Sequence, residues 1–416
     1  MLSLNLMDNI ITICHRAETL LAGIYQAPIR LEILEQFESS HTVLRCAVQT
    51  EGAPAQTPVQ MPGTVIVKQR TFNQPRAPHE FDQALLFRNE WASLDFLTSL
   101  SSEAVVGPRL YASDRQVGLV VLEDLGMGQN VQDVLYSTNR QAGIDALVGM
   151  GKTLGQIQRI THGHEAEFNG LQTNLEAATT TCDASIDCRK YLGDLRACMS
   201  GLDIDIDGGF DGAIHNMESV IHGPGVFRTF VHNDAGPHNF VATASGVQLL
   251  DFEFAGYGHG LVDIVCARLA FPPSFRGRVL PLEVVRQMEE GYRAELTKQA
   301  PEMIDDRRFK EAMAQACAHW AFSKLIGFWD PYLRERLLEG EARDTRDGKI
   351  PERSAFFRKQ VFTYLRLALA ELEEFNQLPE LRLALSQIIE RLLHLWPETP
   401  LLSSYPAFGG EAWHYP

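Results

Sequence analysis

Phe230–Asp263 reads FVHNDAGPHNFVATASGVQLLDFEFAGYGHGLVD. His232, Asp234, Pro237 and Asn239 fall in one short stretch of it, HNDAGPHN, with Asn239 five residues after Asp234. Two strand-like runs, VATA and VQLL, flank Ser245-Gly246, so a β-hairpin is predicted there. The second run leads into Asp251-Phe252-Glu253, and Asp251 comes twelve residues after Asn239. The hairpin is expected to bring Asn239 and Asp251 together. A polar Asn/Asp/Gly/Pro turn would account for the His-x-Asp alone. It does not account for the Pro, the Asn, the hairpin spacing and the second Asp together.

That set matches what phosphoryl transfer requires. One carboxylate must orient an attacking hydroxyl and take its proton, which assigns Asp234. Magnesium on the phosphates demands oxygen ligands, which assigns Asn239 and Asp251. His232 reads as a packing residue that orders the loop through hydrogen bonds.

HNDAGPHN resembles the catalytic loop of aminoglycoside phosphotransferases and choline kinases and, more distantly, that of protein kinases. LLDFEFAGYGHGLVD resembles the segment of the same family that carries the metal-binding Asp. The resemblance implies that Asp263 braces the catalytic loop. It covers roughly 31–330 and is specific mainly in this segment. No APE-type element or activation segment follows Asp251-Phe252-Glu253, which argues against a protein kinase.

Upstream, LEILEQF, TVLRCAVQ and TVIVKQR read as strands, and EGAPAQTPVQMPG as the loop between the last two. Phe81, Leu85, Leu86, Trp91, Leu94 and Leu97 recur at helical spacing in the following segment. A kinase needs a strand Lys on the α- and β-phosphates and a helical acid to hold that Lys. Lys68, ending an apolar strand run, and Glu90, deep in the helix, take those roles. VGLVVLEDLGMG is a buried strand running into a turn and resembles the family's linker between lobes. Glu123 and Leu125 are then the expected backbone contacts to adenine. The loop over the phosphates falls at Glu38-Ser39-Ser40-His41. It lacks glycine, so hydroxyls of Ser39 and Ser40 are expected to face phosphate instead.

Other signals are weaker. Ala146-x-x-x-x-Gly151-Lys152-Thr153 fits a loose phosphate-loop pattern, but Leu147, Leu154, Ile157 and Ile160 continue one helical face through it. Asp203, Asp205, Asp207 and Gly208 match the start of a calcium loop whose twelfth position is Ile214 and not Glu. His162 with His164, and His232 with His238, lack a complete metal-ligand set.

Composition sets the class. The chain has 416 residues, enough for two lobes, with the apolar fraction of a globular protein. A net charge of −16, from 53 acidic and 37 basic residues, repels nucleic acid and anionic lipid, so neither is an expected partner. Seven scattered cysteines without a CxxC pair point to a reducing compartment. No basic n-region opens the chain and no apolar run is long enough to span a bilayer, so a cytoplasmic location is expected.

The expected fold is therefore α+β, a protein-kinase-like two-lobed architecture. A small sheet-containing nucleotide-binding lobe spans 1–125, with a hinge near 123–126. A large, mainly helical catalytic and acceptor-binding lobe spans 127–416 and includes an acidic insertion at about 163–228. The expected activity is transfer of the γ-phosphate of ATP, or of GTP as the alternative donor, with Mg²⁺, to a hydroxyl of a small molecule. Asp203, Asp205, Asp207 and Asp211 in the insertion, and the aromatic faces of Trp320, Phe328 and Trp329, suggest an amine-bearing acceptor such as an amino sugar or amino alcohol. The alternatives are a catalytically silent nucleotide-binding homologue and a phosphate-loop NTPase using Lys152.

Overall fold

Ile13, Ala17, Leu21 and Tyr25 recur every four residues and are all buried, which makes one apolar stripe down helix α1 (Leu2–Tyr25). The stripe packs on strand residues that alternate by two: Leu44 and Cys46, Val65 and Val67, Leu119 and Val121. The two periods therefore meet in one core, and each large aliphatic side chain buried there contributes about 1.5–3 kcal/mol. The computed structural model describes residues 2–38, 41–50, 61–70, 82–100, 105–176, 188–274, 276–298, 305–328, 350–397 and 399–410. The architecture is α+β. It has two compact units, one built on an antiparallel sheet and the other mainly helical.

The first unit comprises Met1–Gly128, His164–Thr180 and Thr243–Gly256. Strands β1 (Ile29–Gln36), β2 (Thr42–Thr50), β3 (Thr64–Gln69), β4 (Leu110–Asp114) and β5 (Leu119–Glu123) form its antiparallel sheet in the order β1-β2-β3-β5-β4. Cys46 pairs with Val65, and Val67 with Val121. Val67 faces α1, so Lys68, next in β3, turns to the opposite face. There it meets helix α2 (Gln83–Leu100), which buries Leu86, Phe87, Glu90, Leu94, Phe96 and Leu97. Trp91 departs from the expected apolar face. It is half-buried, with the Arg115 guanidinium 4.9 Å from its ring centroid. Helix α5 (Glu165–Glu176) covers α2, with the Phe96 and Phe168 ring centroids 5.4 Å apart.

The second unit comprises Gln129–Gly163, Thr181–Ala242 and Tyr257–Pro416. Its described helices are α3 (Val131–Tyr136), α4 (Arg140–Thr161), α6 (Cys188–Gly201), α7 (Gly208–His222), α8 (Leu261–Ile264), α9 (Leu282–Leu296), α10 (Asp306–Phe328), α11 (Ile350–Phe375) and α12 (Pro379–Leu395). The stretch 163–228 is thus far more helical than its sequence suggests. Its helices are short and polar-faced, and α7 starts where Asp207 accepts the amides of Gly209 and Phe210. Gly151 and Gly155 explain the glycine of the loose phosphate-loop pattern. A Cβ on Gly151 would lie 2.1 Å from the carbonyl oxygen of Met288, and one on Gly155 would lie 2.6 Å from that of Tyr292. The two glycines let α4 and α9 approach closely, and Lys152 is an exposed residue within α4.

Buried polar groups tie this unit together. Gln158 on α4 donates to the Gly260 carbonyl at 2.6 Å and accepts from the Tyr292 hydroxyl, while Thr229 Oγ1 donates to the Gln158 carbonyl at 3.2 Å. Arg268 pairs through two nitrogens with Glu289 (2.5 and 2.8 Å) and through a third with Glu371. One guanidinium faces two carboxylates, so only one of them is fully compensated. Burial, only partly offset by Arg268, pushes Glu371 up to about 7 from its ordinary value of 4.5. Between those values the folded chain holds a proton that the unfolded chain has lost, so stability falls as pH rises from 4.5 through 7. The gap corresponds to about 3 kcal/mol. Denaturant unfolding at about pH 5 and pH 7.5 should show this slope in the parent protein and a flattened one in E371Q. An equal slope in both would remove Glu371 as its source. No helix among the described residues is long and apolar enough to cross a membrane.

Candidate active site

Lys68 is buried in the first unit, with its ammonium 2.6 Å from Glu90 Oε1 and 2.6 Å from Asp251 Oδ1. Burial disfavours the charged amine, but Asp251 and Glu90 outweigh it and hold the Lys68 pKa above the ordinary lysine value. Glu90 is 2 % exposed, and its second oxygen lies 3.3 Å from Arg70 Nη2. Arg70, also buried, reaches Glu253 of the Asp251-Phe252-Glu253 triplet. A five-membered charge network of Lys68, Glu90, Asp251, Arg70 and Glu253 results. The Lys68–Glu90 pairing was legible in the sequence; Arg70 and Glu253 were not, although Arg70 stands two residues after Lys68.

Asp251 takes the left-handed conformation (φ 56°, ψ 62°), and its side chain is 51 % exposed. Asp is among the few residues that adopt this conformation readily. The turn into Phe252–Phe254 leaves the carboxylate accessible at the end of strand β9 (Gly246–Leu249). The strands expected around Ser245-Gly246 form as β8 (Phe240–Thr243) and β9.

The second unit holds the other polar segment. Strand β7 (Arg228–Val231) delivers the chain to His232, which is buried, and to Asn233 in the left-handed region (φ 62°). Asp263, at 2 % exposure, accepts the His232 amide at 2.7 Å and the Asn233 amide at 2.9 Å. Burial holds its carboxyl above the ordinary range, opposed by His232 and by the two amides. The loop backbone is thereby held at two adjacent amides. Further on, Asn239 Nδ2 donates to the Asp234 carbonyl and to Asp234 Oδ2, both at 2.9 Å, and His238 Nε2 lies 3.7 Å from the same Oδ2. This orientation leaves Asn239 Oδ1 as an acceptor. The Asp234 side chain is about one-fifth exposed, so it is both restrained and reachable. An amide oxygen at Asn239 and an accessible carboxylate at Asp251 are the hard donors that magnesium takes.

Ser39 and Ser40 lie outside the described residues. His41, beside them, is held neutral: burial, with Arg70 and Lys68, lowers its pKa to about 4. The segment after β5 is shaped by Arg45, whose Nε lies 3.0 Å from Asp124 Oδ2 and whose Nη2 donates to the Gly126 carbonyl at 3.0 Å. Asp124 Oδ1 accepts the Gly126 amide, and Gly126 has φ 79°. Glu123 and Leu125 are both half-buried in this segment. The Glu123 amide donates to the Arg109 carbonyl, so it is already used within the sheet.

The residues invoked for an amine-bearing acceptor mostly have partners. Asp207 caps α7, Asp203 pairs with Arg391 at 2.5 Å and Asp211 pairs with Arg196. Trp320 Nε1 donates to the Val262 carbonyl at 2.7 Å, and the Lys324 ammonium sits 5.3 Å from the centre of its ring. Lys324 escaped the sequence reading. Burial lowers its pKa, opposed by Cys266 and Asp234, so a cation of the chain itself stands within the field of Asp234. The side chain of Phe328 and all of Trp329 lie outside the described residues.

The model of the phosphotransferase enzyme family matches residues 63–296, more than half of the chain. No curated protein sequence matches significantly. Among solved structures, the chain is similar to choline kinase from Cryptosporidium parvum Iowa II, with 11 % identity, 93 % of this chain and 99 % of that one covered, and a TM-score of 0.47. It is also similar to APH(2")-IIa in its gentamicin complex (13 % identity, 87 % and 96 % covered, TM-score 0.40). A third is a choline/ethanolamine kinase family protein from Mesorhizobium loti (13 % identity, 91 % and 99 % covered, TM-score 0.38).

Proposed function

The chain belongs to the phosphotransferase enzyme family, and from that premise we propose that it transfers the γ-phosphoryl group of ATP to a hydroxyl of a small molecule. The observation that carries this reading is Asp234, restrained by Asn239 on a loop whose two amides end on buried Asp263. In the reaction the acceptor oxygen bonds to the γ-phosphorus as the bond to the bridging oxygen breaks and ADP leaves. Asp234 orients that hydroxyl and takes its proton. Lys68, positioned by Glu90, steadies the α- and β-phosphates. Glu123 and Leu125 contact adenine through the backbone, and Ser39 and Ser40 face the phosphates. Asn239 and Asp251 are the oxygen donors to Mg²⁺, which when bound neutralises phosphate charge. His232 and Asp263 support the loop.

The acceptor is proposed only as a hydroxyl-bearing small molecule. A preference for amines rests mainly on the net charge of −16, since Asp203, Asp207, Asp211 and Trp320 already have partners. ADP release should be followed across aminoglycosides, choline, ethanolamine, amino sugars and homoserine, with ATP and with GTP. Acceptor-dependent ADP release is the expected result. Nucleotide binding without turnover on any acceptor would favour the silent homologue. If an amine is the best acceptor, its KM should rise with salt, because screening shortens the field to about 8 Å at physiological ionic strength. A neutral or anionic best acceptor with no salt effect would end the electrostatic preference and leave phosphotransfer intact.

A further inference from the structure

Glu218 and His222 stand one turn apart on α7, and His319 reaches them from α10. Glu218 is 1 % exposed, a charge that burial should not tolerate without close partners. Its Oε1 lies 2.9 Å from His319 Nδ1, and its Oε2 lies 3.1 Å from His222 Nε2. One ligand atom from each of the three side chains lies within 4.8 Å of the other two. A tetrahedral zinc ion with bonds of about 2.0–2.1 Å spaces its ligands by about 3.3 Å. Each close pair falls near that spacing, through a different oxygen of the carboxylate. Glu218 Oε2, despite its short distance to His222, makes no hydrogen bond of good geometry among the described residues. The hydrogen bond between Glu218 Oε1 and His319 Nδ1 gives way when an ion takes both atoms.

A second observation points the same way. His259 is 4 % exposed, and among the described residues neither of its ring nitrogens has a hydrogen-bond partner. Its ring packs on Phe227, with centroids 5.2 Å apart, so a buried imidazole is left with both nitrogens to satisfy.

We propose that Glu218, His222 and His319 form a binding site for a divalent transition-metal ion, zinc foremost, that clips α7 to α10. Imidazole nitrogens select zinc and its neighbours over magnesium, so this site is distinct in its chemistry from the magnesium donors proposed above. His222 is more than one-third exposed, which gives an ion an entry path and an open coordination position. The clip holds the helix that carries Trp320 and Lys324.

The test uses the full chain, stripped with chelator and titrated with zinc chloride alone, without nucleotide. The expected result is one equivalent of zinc retained after dialysis, with a rise in melting temperature and no displacement by excess magnesium. H222A, which changes a partly exposed residue, should fold as the parent does and lose that equivalent. H319A and E218Q should lose it too. Zinc retained at the same stoichiometry by folded H222A and H319A would overturn the site, as would no retained zinc in the parent. Anomalous scattering at the zinc edge from crystals of the parent decides the matter should a variant unfold. A peak among these three side chains supports the site, and a peak only elsewhere refutes it.

Discussion

Asp234→Asn is expected to cut kcat by about 10²–10⁴-fold while nucleotide affinity stays within a few-fold of the parent. The substitution is isosteric, so the loop should keep its shape: the amides of His232 and Asn233 still end on Asp263, and Asn239 Nδ2 still has the carbonyl of residue 234. What disappears is an anionic oxygen able to take a proton. An amide in that place can orient a hydroxyl but cannot accept its proton at neutral pH. The loss should therefore appear in kcat and not in nucleotide binding, and steady-state kinetics beside calorimetric titration of nucleotide separates the two. Near-parental kcat in D234N would remove Asp234 from its proposed role. A matching fall in nucleotide affinity would mean that the substitution had disturbed the loop as a whole.

The parts of this site that could be read from sequence are those with dense local patterns. HNDAGPHN packs its polar residues into eight positions, and Lys68 ends an apolar strand whose period places it opposite Val67. Glu90 could be chosen because the helical repeat carries it inward, and it is buried. What stayed hidden depends on packing between distant segments. Arg70 looks like a solvated strand end until Glu253 is brought to it from 183 positions away. The third member of the α7–α10 cluster lies 101 positions from Glu218, beyond the reach of any local spacing pattern. The stretch 163–228 looked irregular because short helices with wide polar faces carry little apolar periodicity. The aspartates of that stretch misled for a related reason. Charge is visible in a sequence, but the arginines that neutralise it, Arg391 and Arg196, are not visibly its partners.

Asp251→Ala should weaken binding of Mg·ATP by at least about tenfold, about 1.4 kcal/mol, relative to its effect on metal-free ATP. The difference between the two titrations is the informative quantity, because Asp251 does two things. Its carboxylate is proposed to bind the ion, and it also lies 2.6 Å from the Lys68 ammonium. Removing it leaves Lys68 paired with Glu90, which alters the field felt by phosphate whether or not metal is present. That second effect bears on both forms of the nucleotide and cancels in the comparison. D251N keeps the size of the side chain and an oxygen donor but not the charge, so it should fall between the parent and D251A for Mg·ATP. E90A supplies the control, since it frees Lys68 from its other carboxylate and touches no proposed metal donor. Equal losses for Mg·ATP and ATP in D251A, matching the pattern of E90A, would mean that Asp251 acts through Lys68 alone and that the metal is held by other groups.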